Sequence, residues 1–346
     1  MWYTWGRYFA EVLYRMKVYF APLEGITGYI YRNAFHKAFG RGIDKYFSPF
    51  ISPGVNQPLT PKELRDIHPD NNKGLVLVPQ ILANNPDDFL LAAKYIKDLG
   101  YSEVNLNLGC PSGTVVAKRK GSGLLGDTDL LLRMLDKIYE TTDMKISIKT
   151  RIGKDDPDEF PEILEIFNRF PVYELIIHPR IRNEFYKGTP NMEMFDYAAK
   201  NSRNPLCYNG DIVTKAQFDT MSEKYNDLTG IMIGRGFLQN PFLAWDVQGI
   251  NVNNMEAKKG QTSKPQKETQ KESKLEALKK FHDEVLERYE EYMSGDKPVL
   301  FKMKELWCYM INIFDEEKYG KKIKKAEKLS VYKEVVRELF ENCSLK

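Results

Sequence analysis

A cysteine at the end of an apolar segment is the residue best placed for chemistry in this sequence. Cys110 follows the segment 105–109 and precedes Pro111, so a strand-like run ends at a Gly-Cys-Pro turn. Proline cannot continue a strand ladder and glycine permits an unusual turn, so we expect the thiol to project from the strand end. The alternative is a buried, inert thiol, since free cysteine is among the most buried residue types.

Polar or turn-forming groups follow most of the other short apolar segments. They are Glu24, Gln80, Asn107, Lys149, Arg151, His178, Asn209-Gly210-Asp211 and Gly234-Arg235-Gly236. Singly, each is more often an ordinary surface or turn residue. The last two turns offer backbone N–H groups and a guanidinium that suit a phosphate. Together they favour a phosphate-bearing cofactor such as FMN.

Eight β-rich segments alternate with helical segments and predict how these groups are positioned. The predicted strands are 18–21, 44–48, 75–80, 103–107, 145–150, 173–178, 205–208 and 229–233. Such alternation indicates a parallel sheet, and its length fits an α/β fold of the (β/α)8 TIM-barrel type, typically about 250 residues. A doubly wound open sheet is the alternative, but no G-x-G-x-x-G follows the first strand. In a barrel the polar groups would meet at one rim, where catalytic residues gather.

Local signals predict several helices between the strands. Asn85 is a plausible cap for a helix over 86–99, and Asp127 for one over 128–141. Pro161 falls in the first turn of a helix predicted to reach Phe170.

Composition and charge limit the classes of function. The chain has 346 residues and a formal net charge of +3, which does not by itself predict a polyanionic partner. Its four cysteines show no metal-binding or disulfide spacing, so we expect no metal site and a reducing, cytoplasmic setting. No apolar stretch approaches the ~20 residues of a membrane span. Residues 1–16 form an N-terminal extension without signal-peptide features, either an amphipathic helix or a segment outside the functional unit.

The predicted domains are this extension, a barrel over 17–248, a polar linker or insertion over 249–274 and a helical domain over 275–346. Apolar residues at three-to-four spacing predict a helix from Leu275, a second after Pro298 and a third over 323–340. The densest basic run is 320–325, and Lys302 and Lys304 lie on the second helix; such residues would contact phosphates or form a solvated face.

The sequence resembles the tRNA-dihydrouridine synthase family. The matching segments are APLEGIT at 21–27, PQI at 79–81, NLNLGCPS at 105–112, GSGLL at 121–125, KTR at 149–151, HPR at 178–180, YNGD at 208–211 and MIGRG at 232–236. They occur in the family's order and are specific as a set. The N-terminal extension and the insertion near residue 250 are not part of the pattern.

The resemblance implies an FMN enzyme that uses NADPH or NADH to reduce particular tRNA uridines to 5,6-dihydrouridine. It implies that the flavin contacts are Pro22, Leu23, Glu24, Gln80, Lys149, His178, Asn209, Gly210, Asp211, Gly234 and Arg235. Asn107 would lie near the uracil, and Cys110 would be the proton donor. Leu23 stands where many members have methionine, a similar apolar residue.

The residue types suit this reaction, because reducing the uracil C5–C6 bond needs a hydride at C6 and a proton at C5. A thiol with an ordinary pKa of ~8.5 is mostly protonated at neutral pH and can still give up its proton. Lys149 would stabilise negative charge on the reduced flavin. His178 could bind phosphate as a cation or as a neutral donor.

The resemblance implies that the helical domain over 275–346 binds tRNA, and basic residues near the rim are further candidates for tRNA contact. They are Lys118, Arg119 and Lys120 in the loop after Cys110, together with Arg151, Arg180 and Arg182. The target uracil would have to be extruded from folded tRNA to reach the flavin. No obligate protein partner is evident from the sequence.

Two other functions are compatible with parts of the pattern. A barrel reductase of a free pyrimidine, like dihydroorotate or dihydropyrimidine dehydrogenase, would share the FMN but leave the helical tail unexplained. A non-catalytic RNA-binding module would not need Cys110, Lys149, His178 and Arg235 together.

Overall fold

The computed structural model describes residues 15–54, 57–250, 266–316 and 318–346, with backbone alone for 266–272. Most of the predicted N-terminal extension, residues 1–14, lies outside this part of the chain. So does 251–265, which makes up most of the predicted linker. None of the helices described is long and apolar enough to cross a membrane.

Eight parallel strands close into a barrel in chain order, with β1 paired to β8, which confirms the predicted TIM barrel. The strands are β1 Lys17–Phe20, β2 Lys45–Ile51, β3 Leu77–Ile81, β4 Glu103–Leu108, β5 Lys145–Gly153, β6 Glu174–Ile181, β7 Leu206–Asn209 and β8 Gly230–Ile233. They are almost wholly buried, as expected for a parallel sheet covered by helices.

Helices cover the outside of the barrel. They are α1 Tyr29–Phe39, α2 Pro61–Ile67, α3 Pro86–Asp98, α4 Gly113–Val116, α5 Thr128–Thr141, α6 Phe160–Phe167, α7 Met192–Asn201, α8 Lys215–Lys224, α9 Arg235–Gln239 and α10 Leu243–Asp246. The predicted caps are confirmed, since the side chains of Asn85 and Asp127 accept bonds from backbone N–H groups at the starts of α3 and α5. Helix α6 ends at Phe167, three residues before the predicted end at Phe170.

Strand register brings distant polar residues side by side at the carboxyl ends. Asn107 of β4 is paired with Lys149 of β5, and Arg151 of β5 is paired with His178 of β6. Strands β5 and β6 both extend beyond their predicted ends at 150 and 178, so Arg151 and Arg180 lie inside the sheet.

A helical bundle follows the barrel and shares its hydrophobic core. Its helices are α11 Gln266–Tyr292, α12 Asp296–Met310, α13 Lys318–Lys325 and α14 Leu329–Asn342. Phe281 of α11 packs its ring 5.3 Å from Tyr31 and 5.4 Å from Phe39 of α1. Burying a side chain of this size contributes about 1.5–3 kcal/mol, so the bundle is firmly seated on the barrel.

Two predicted boundaries in this region differ from the structure. Helix α11 begins at Gln266, inside the range predicted as linker. The single helix predicted over 323–340 is two helices, α13 and α14, separated at residues 326–328. Buried Ile323, Ala326 and Leu329 continue the three-residue spacing across this break, so periodicity alone did not reveal it.

Candidate active site

One large cavity opens at the carboxyl ends of the strands, and we call it the rim cavity. Its volume is about 760 Å³, within the usual range for cofactor and substrate pockets. Its walls include all the residues predicted to contact flavin: Pro22, Leu23, Glu24, Gln80, Lys149, His178, Asn209, Gly210, Asp211, Gly234 and Arg235. Cys110, Asn107 and Arg151 line it as well. The fold therefore brings these distant segments together around one space.

Asn107 organises the turn that carries the cysteine. Its Oδ1 accepts bonds from the backbone N–H groups of Gly109 at 3.0 Å and Cys110 at 2.9 Å. Its Nδ2 donates to Gln80 Oε1 at 2.7 Å, and Gln80 Nε2 donates to Asn105 Oδ1 at 2.8 Å. This buried amide chain fixes the turn and leaves one Nδ2 hydrogen of Asn107 for the predicted uracil contact.

The segment 121–125 packs directly behind Cys110. Ser122 donates through Oγ to the carbonyl oxygen of Cys110 at 2.8 Å. Gly121 has φ +58°, and a Cβ there would lie 2.9 Å from the same carbonyl oxygen. A larger residue would push the cysteine turn out of place, which explains why this segment needs glycine.

Burial keeps the Cys110 thiol in its neutral form. Desolvation raises the pKa of Cys110, and the Glu24 carboxylate adds to the increase against the opposing effects of Arg151, Lys149 and the Ser112 N–H group. The thiol is therefore protonated at neutral pH. This is the state that a proton donor requires.

Lys149 places an amine in the wall of the rim cavity. Burial, with a smaller contribution from Arg151, lowers the pKa of Lys149 to about 8. No carboxylate lies within 4.0 Å of its amine among the residues that the structure describes. A cation held this way favours an anionic group on a bound molecule.

We predict that this amine makes the stability of the flavin-free protein depend on pH. The folded pKa is about 8, below the usual value of about 10.4, so the unfolded chain binds more protons between these pH values. The free energy of unfolding should therefore rise by up to about 1.4 kcal/mol per pH unit above pH 8 from this group. Urea unfolding at pH 8 and 9.5 should show that Lys149→Met loses this increment relative to wild type.

The matched control is Lys145→Met, which removes an exposed lysine at the other end of β5. It should leave the pH dependence as in wild type. An unchanged pH dependence in Lys149→Met would show that the amine is not held in an unfavourable charged state.

Arg180 is completely buried and ties together the loops beyond β6 and β7. Its guanidinium donates to the Asp211 carboxylate at 2.5 Å and 3.1 Å. It also donates to the carbonyl oxygens of Lys187 at 3.1 Å and Gly188 at 2.6 Å. The fork geometry of arginine suits such a bidentate carboxylate contact.

His178 is a neutral hydrogen-bonding residue in this setting. Burial and the surrounding cations Lys149, Arg151, Arg180 and Arg235 hold the pKa of His178 well below its usual value. Its Nε2 lies 3.0 Å from Arg180 Nη1, which can only donate, so the ring hydrogen belongs on Nδ1. Of the two roles left open by the sequence, the neutral donor is the one that fits.

Asp211 holds a second arginine at the cavity wall. Its Oδ1 accepts from Arg235 Nη2 at 2.6 Å, while both its oxygens face Arg180. Asn209 donates to the carbonyl oxygen of Met232 at 2.8 Å and joins β7 to β8. Asp211 and Asn209 thus position Arg235, which is 31% exposed at its side chain and can reach a ligand.

Two of the arginines predicted to contact RNA do not present a free guanidinium. Arg180 is 0% exposed and all its N–H groups are engaged within the protein, so it offers no free donor for the predicted substrate contact. Arg151 is 1% exposed and donates to the carbonyl oxygens of Gly109, Ile181 and Phe185. Both are positioning residues, because buried cations must satisfy their hydrogens within the protein.

The basic loop after Cys110 lies outside the walls of the rim cavity. Lys118 and Arg119 are exposed and Lys120 is half-buried, with its Nζ 3.4 Å from Ser52 Oγ at the end of β2. Arg119 Nη1 lies 3.4 Å from Asp127. The loop is therefore on the same face as the cavity, but at its outer edge.

Sequence reasoning missed several residues of the cavity wall. They are Phe50, Phe185, Tyr186, Glu305, Cys308 and Tyr309. The last three belong to α12 of the bundle, whose Lys302 bonds to the carbonyl oxygen of Gly25 beyond β1. Nothing in the spacing of α12 distinguishes a cavity-facing position from a solvent-facing one. For Phe185 and Tyr186, the signal available in the sequence was a pair of adjacent aromatic residues shortly after the predicted strand 173–178.

Fold and site together define a TIM-barrel protein with a cofactor-sized cavity at its catalytic rim. Beyond this class, a sequence profile of the dihydrouridine synthase family matches residues 19–344. The chain belongs to the dihydrouridine synthase family.

Similar proteins agree with this assignment. The chain is 30% identical over 238 residues to a probable tRNA-dihydrouridine synthase of Staphylococcus aureus (strain Mu50 / ATCC 700699), covering 64% of this chain and 68% of that protein. It is 30% identical over 228 residues to tRNA-dihydrouridine synthase B of Pasteurella multocida (strain Pm70), covering 66% and 67%. Among solved structures, 2-naphthoyl-CoA reductase in complex with 2-naphthoyl-CoA has a TM-score of 0.52 at 12% identity, covering 67% of this chain and 50% of that one, which shows the fold alone.

The residues of the rim cavity fit FMN, the cofactor of this family. The unpaired Lys149 amine suits the N1/O2 side of a reduced flavin, which carries negative charge. Arg235 and the neutral His178 supply donors for a phosphate at the far wall. Cys110 and Asn107 border the same space, where a substrate would meet the ring.

Proposed function

We propose that this protein reduces the C5–C6 bond of particular uridines in tRNA, with FMN in the rim cavity and NADPH or NADH as the reductant. The observation that carries the proposal is the joint placement of a protonated thiol and an unpaired amine around one cavity. A reducing, cytoplasmic setting suits the free cysteines and the tRNA substrate.

Different residues of the chain would serve different parts of this reaction. When bound, FMN would supply the hydride for uracil C6, and NADPH or NADH would supply the two electrons that reduce it again. Cys110 would give its thiol proton to C5, and the resulting thiolate would regain a proton from solvent. Lys149 and Gln80 would orient the flavin, and His178 and Arg235 would hold its phosphate, with Arg235 positioned by Asp211 and Asn209. Asn107 would orient the uracil.

A reductase of free pyrimidines is the competing function, and the cavity wall argues against it. Helix α12 of the bundle contributes Glu305, Cys308 and Tyr309 to that wall. A small substrate needs no such contribution from a second domain. Turnover with NADPH should therefore occur on tRNA transcripts and not on free uracil, with dihydrouridine measured by mass spectrometry. Turnover of free uracil alone would overturn the proposal.

We predict that the basic loop contributes to tRNA affinity through its charge. Replacing Lys118, Arg119 and Lys120 with glutamine should raise the KM for tRNA. It should also reduce the slope of log KM against log salt by about 2, since each phosphate contact on a single strand contributes about 0.7. Flavin content should stay at the wild-type level.

A matched control removes the same charges elsewhere. Lys94, Arg169 and Lys200 are exposed on the outer surface of the barrel, and their replacement with glutamine should leave the salt slope unchanged. Equal effects of the two triple variants would mean that net charge, rather than the loop, sets the affinity.

A further inference from the structure

Two adjacent aromatic residues stand exposed at the edge of the rim cavity. Phe185 is 42% exposed and Tyr186 is 50% exposed, and both line the cavity. They follow a short 3₁₀ segment, Arg182–Glu184, directly after β6. Large exposed aromatic residues at a binding cavity usually meet a ligand or partner.

Tyr186 has contacts that already account for its position. Its ring centre is 4.5 Å from the guanidinium carbon of Arg235 and 5.7 Å from that of Arg151. It is also stacked on His178 with ring centres 6.1 Å apart and planes at 28°. Tyr186 therefore covers the residues assigned to the flavin phosphate.

Phe185 lacks such partners. Among the residues described, its one ring contact is with the Arg182 guanidinium, whose carbon lies 5.9 Å from the ring centre. Its backbone has φ +52° and ψ −97°, a conformation that a bulky residue rarely adopts. The only other non-glycine residue of the described chain with positive φ is Arg119, in the basic loop after Cys110.

Buried arginines hold this unusual backbone in place. Arg151 Nη2 donates to the carbonyl oxygen of Phe185 at 2.6 Å. Arg180 donates to the carbonyl oxygens of Lys187 and Gly188 just beyond it. Strained backbone persists where several surrounding contacts hold it in place, and it clusters at functional sites.

We propose that Phe185 is a stacking site for the unpaired RNA base next to the target uridine, an inference that rests on the proposed function. Extruding a uridine deprives its neighbour of a stacking partner, and aromatic rings commonly replace such partners in RNA complexes. The exposed face of Phe185 lies at the edge of the cavity that receives the uridine. Arg182 against the ring adds a cation for the adjoining phosphate, and a ring without polar atoms accepts any base.

The test compares Phe185→Leu and Phe185→Trp by steady-state kinetics on a tRNA transcript. Loss of one base–aromatic stack is expected to raise the KM for tRNA by about 5- to 100-fold in Phe185→Leu. Phe185→Trp should keep a KM within about twofold of wild type, since its ring still stacks. Leucine preserves apolar packing, so a difference between the two variants reports on stacking. Flavin absorbance verifies that each variant is folded.

The matched control is Tyr173→Ala, at the opposite end of the same strand. Tyr173 is 41% exposed and has the amines of Lys45 and Lys145 over its ring, so it resembles Phe185 in exposure and charge. Its replacement should leave the KM for tRNA unchanged.

Three results would overturn the stacking role while leaving the proposed function intact. They are an unchanged KM for tRNA in Phe185→Leu, an equal increase in Phe185→Trp, or an increase in the KM for NADPH in place of that for tRNA. A wild-type protein that forms no dihydrouridine in tRNA would instead overturn the proposed function and this inference with it.

Discussion

Replacing Cys110 with alanine is expected to abolish dihydrouridine formation while the protein keeps its flavin. The Cys110 thiol is protonated and borders the space where uracil would meet the flavin, and positioned acids contribute about 10²- to 10⁴-fold to such reactions. We therefore expect kcat on tRNA to fall by at least about 100-fold. The yellow absorbance of the purified variant should match that of wild type, because Cys110 is not assigned to flavin binding.

Cys308 provides an internal control for this prediction. It lines the same cavity from α12 and is exposed, so Cys308→Ala removes a thiol without removing the assigned acid. This variant should retain dihydrouridine formation. Wild-type turnover in Cys110→Ala, or equal loss in both variants, would contradict the assignment of Cys110 as the proton donor.

The second large effect is expected at Arg180, which touches no solvent. Changing it to methionine leaves the Asp211 carboxylate facing Arg235 alone and frees the carbonyl oxygens of Lys187 and Gly188. Because Asp211 is 35% exposed and keeps Arg235, the loss comes mainly from buried groups left without a donor, and such groups cost about 1–3 kcal/mol. We expect the free energy of unfolding in urea to fall by that amount, and flavin to be lost during purification because Arg235 and His178 shift.

Two further variants separate the geometry of Arg180 from its charge. Arg180→Lys keeps the charge but not the fork, so it should recover only part of the stability. Arg182→Met removes an arginine two residues along the chain that makes no buried ion pair with any residue in the described part of the chain. It should change the stability by less than about 1 kcal/mol. Full stability and flavin content in Arg180→Met would show that this network does not hold the site together.

The barrel and most of the cavity wall could be predicted because each depends on local chain pattern. Short β-rich runs end at polar turns, and parallel closure brings those ends to one rim. Cys110 and Lys149 were found in this way, since each lies near the carboxyl end of a predicted strand, although β5 itself continues to Gly153.

Contacts between distant segments could not be predicted in the same way. The sequence does not show whether Arg180 points to solvent or folds back onto Asp211, which lies on the next loop of the barrel. Likewise, spacing alone gives no indication that α12 places Tyr309 in the cavity wall, because that depends on how Phe281 and its neighbours dock the bundle on α1. The strain at Phe185 is also a tertiary effect, since Arg151 from β5 holds its carbonyl oxygen.

The most direct test of the account is a crystal structure of the purified protein with FMN bound. We predict one flavin per chain in the rim cavity, with its ring between Lys149 and Gln80, its phosphate at Arg235 and the Cys110 sulfur across from the ring. A colourless protein that takes up no FMN, or a flavin bound away from Cys110, would contradict it.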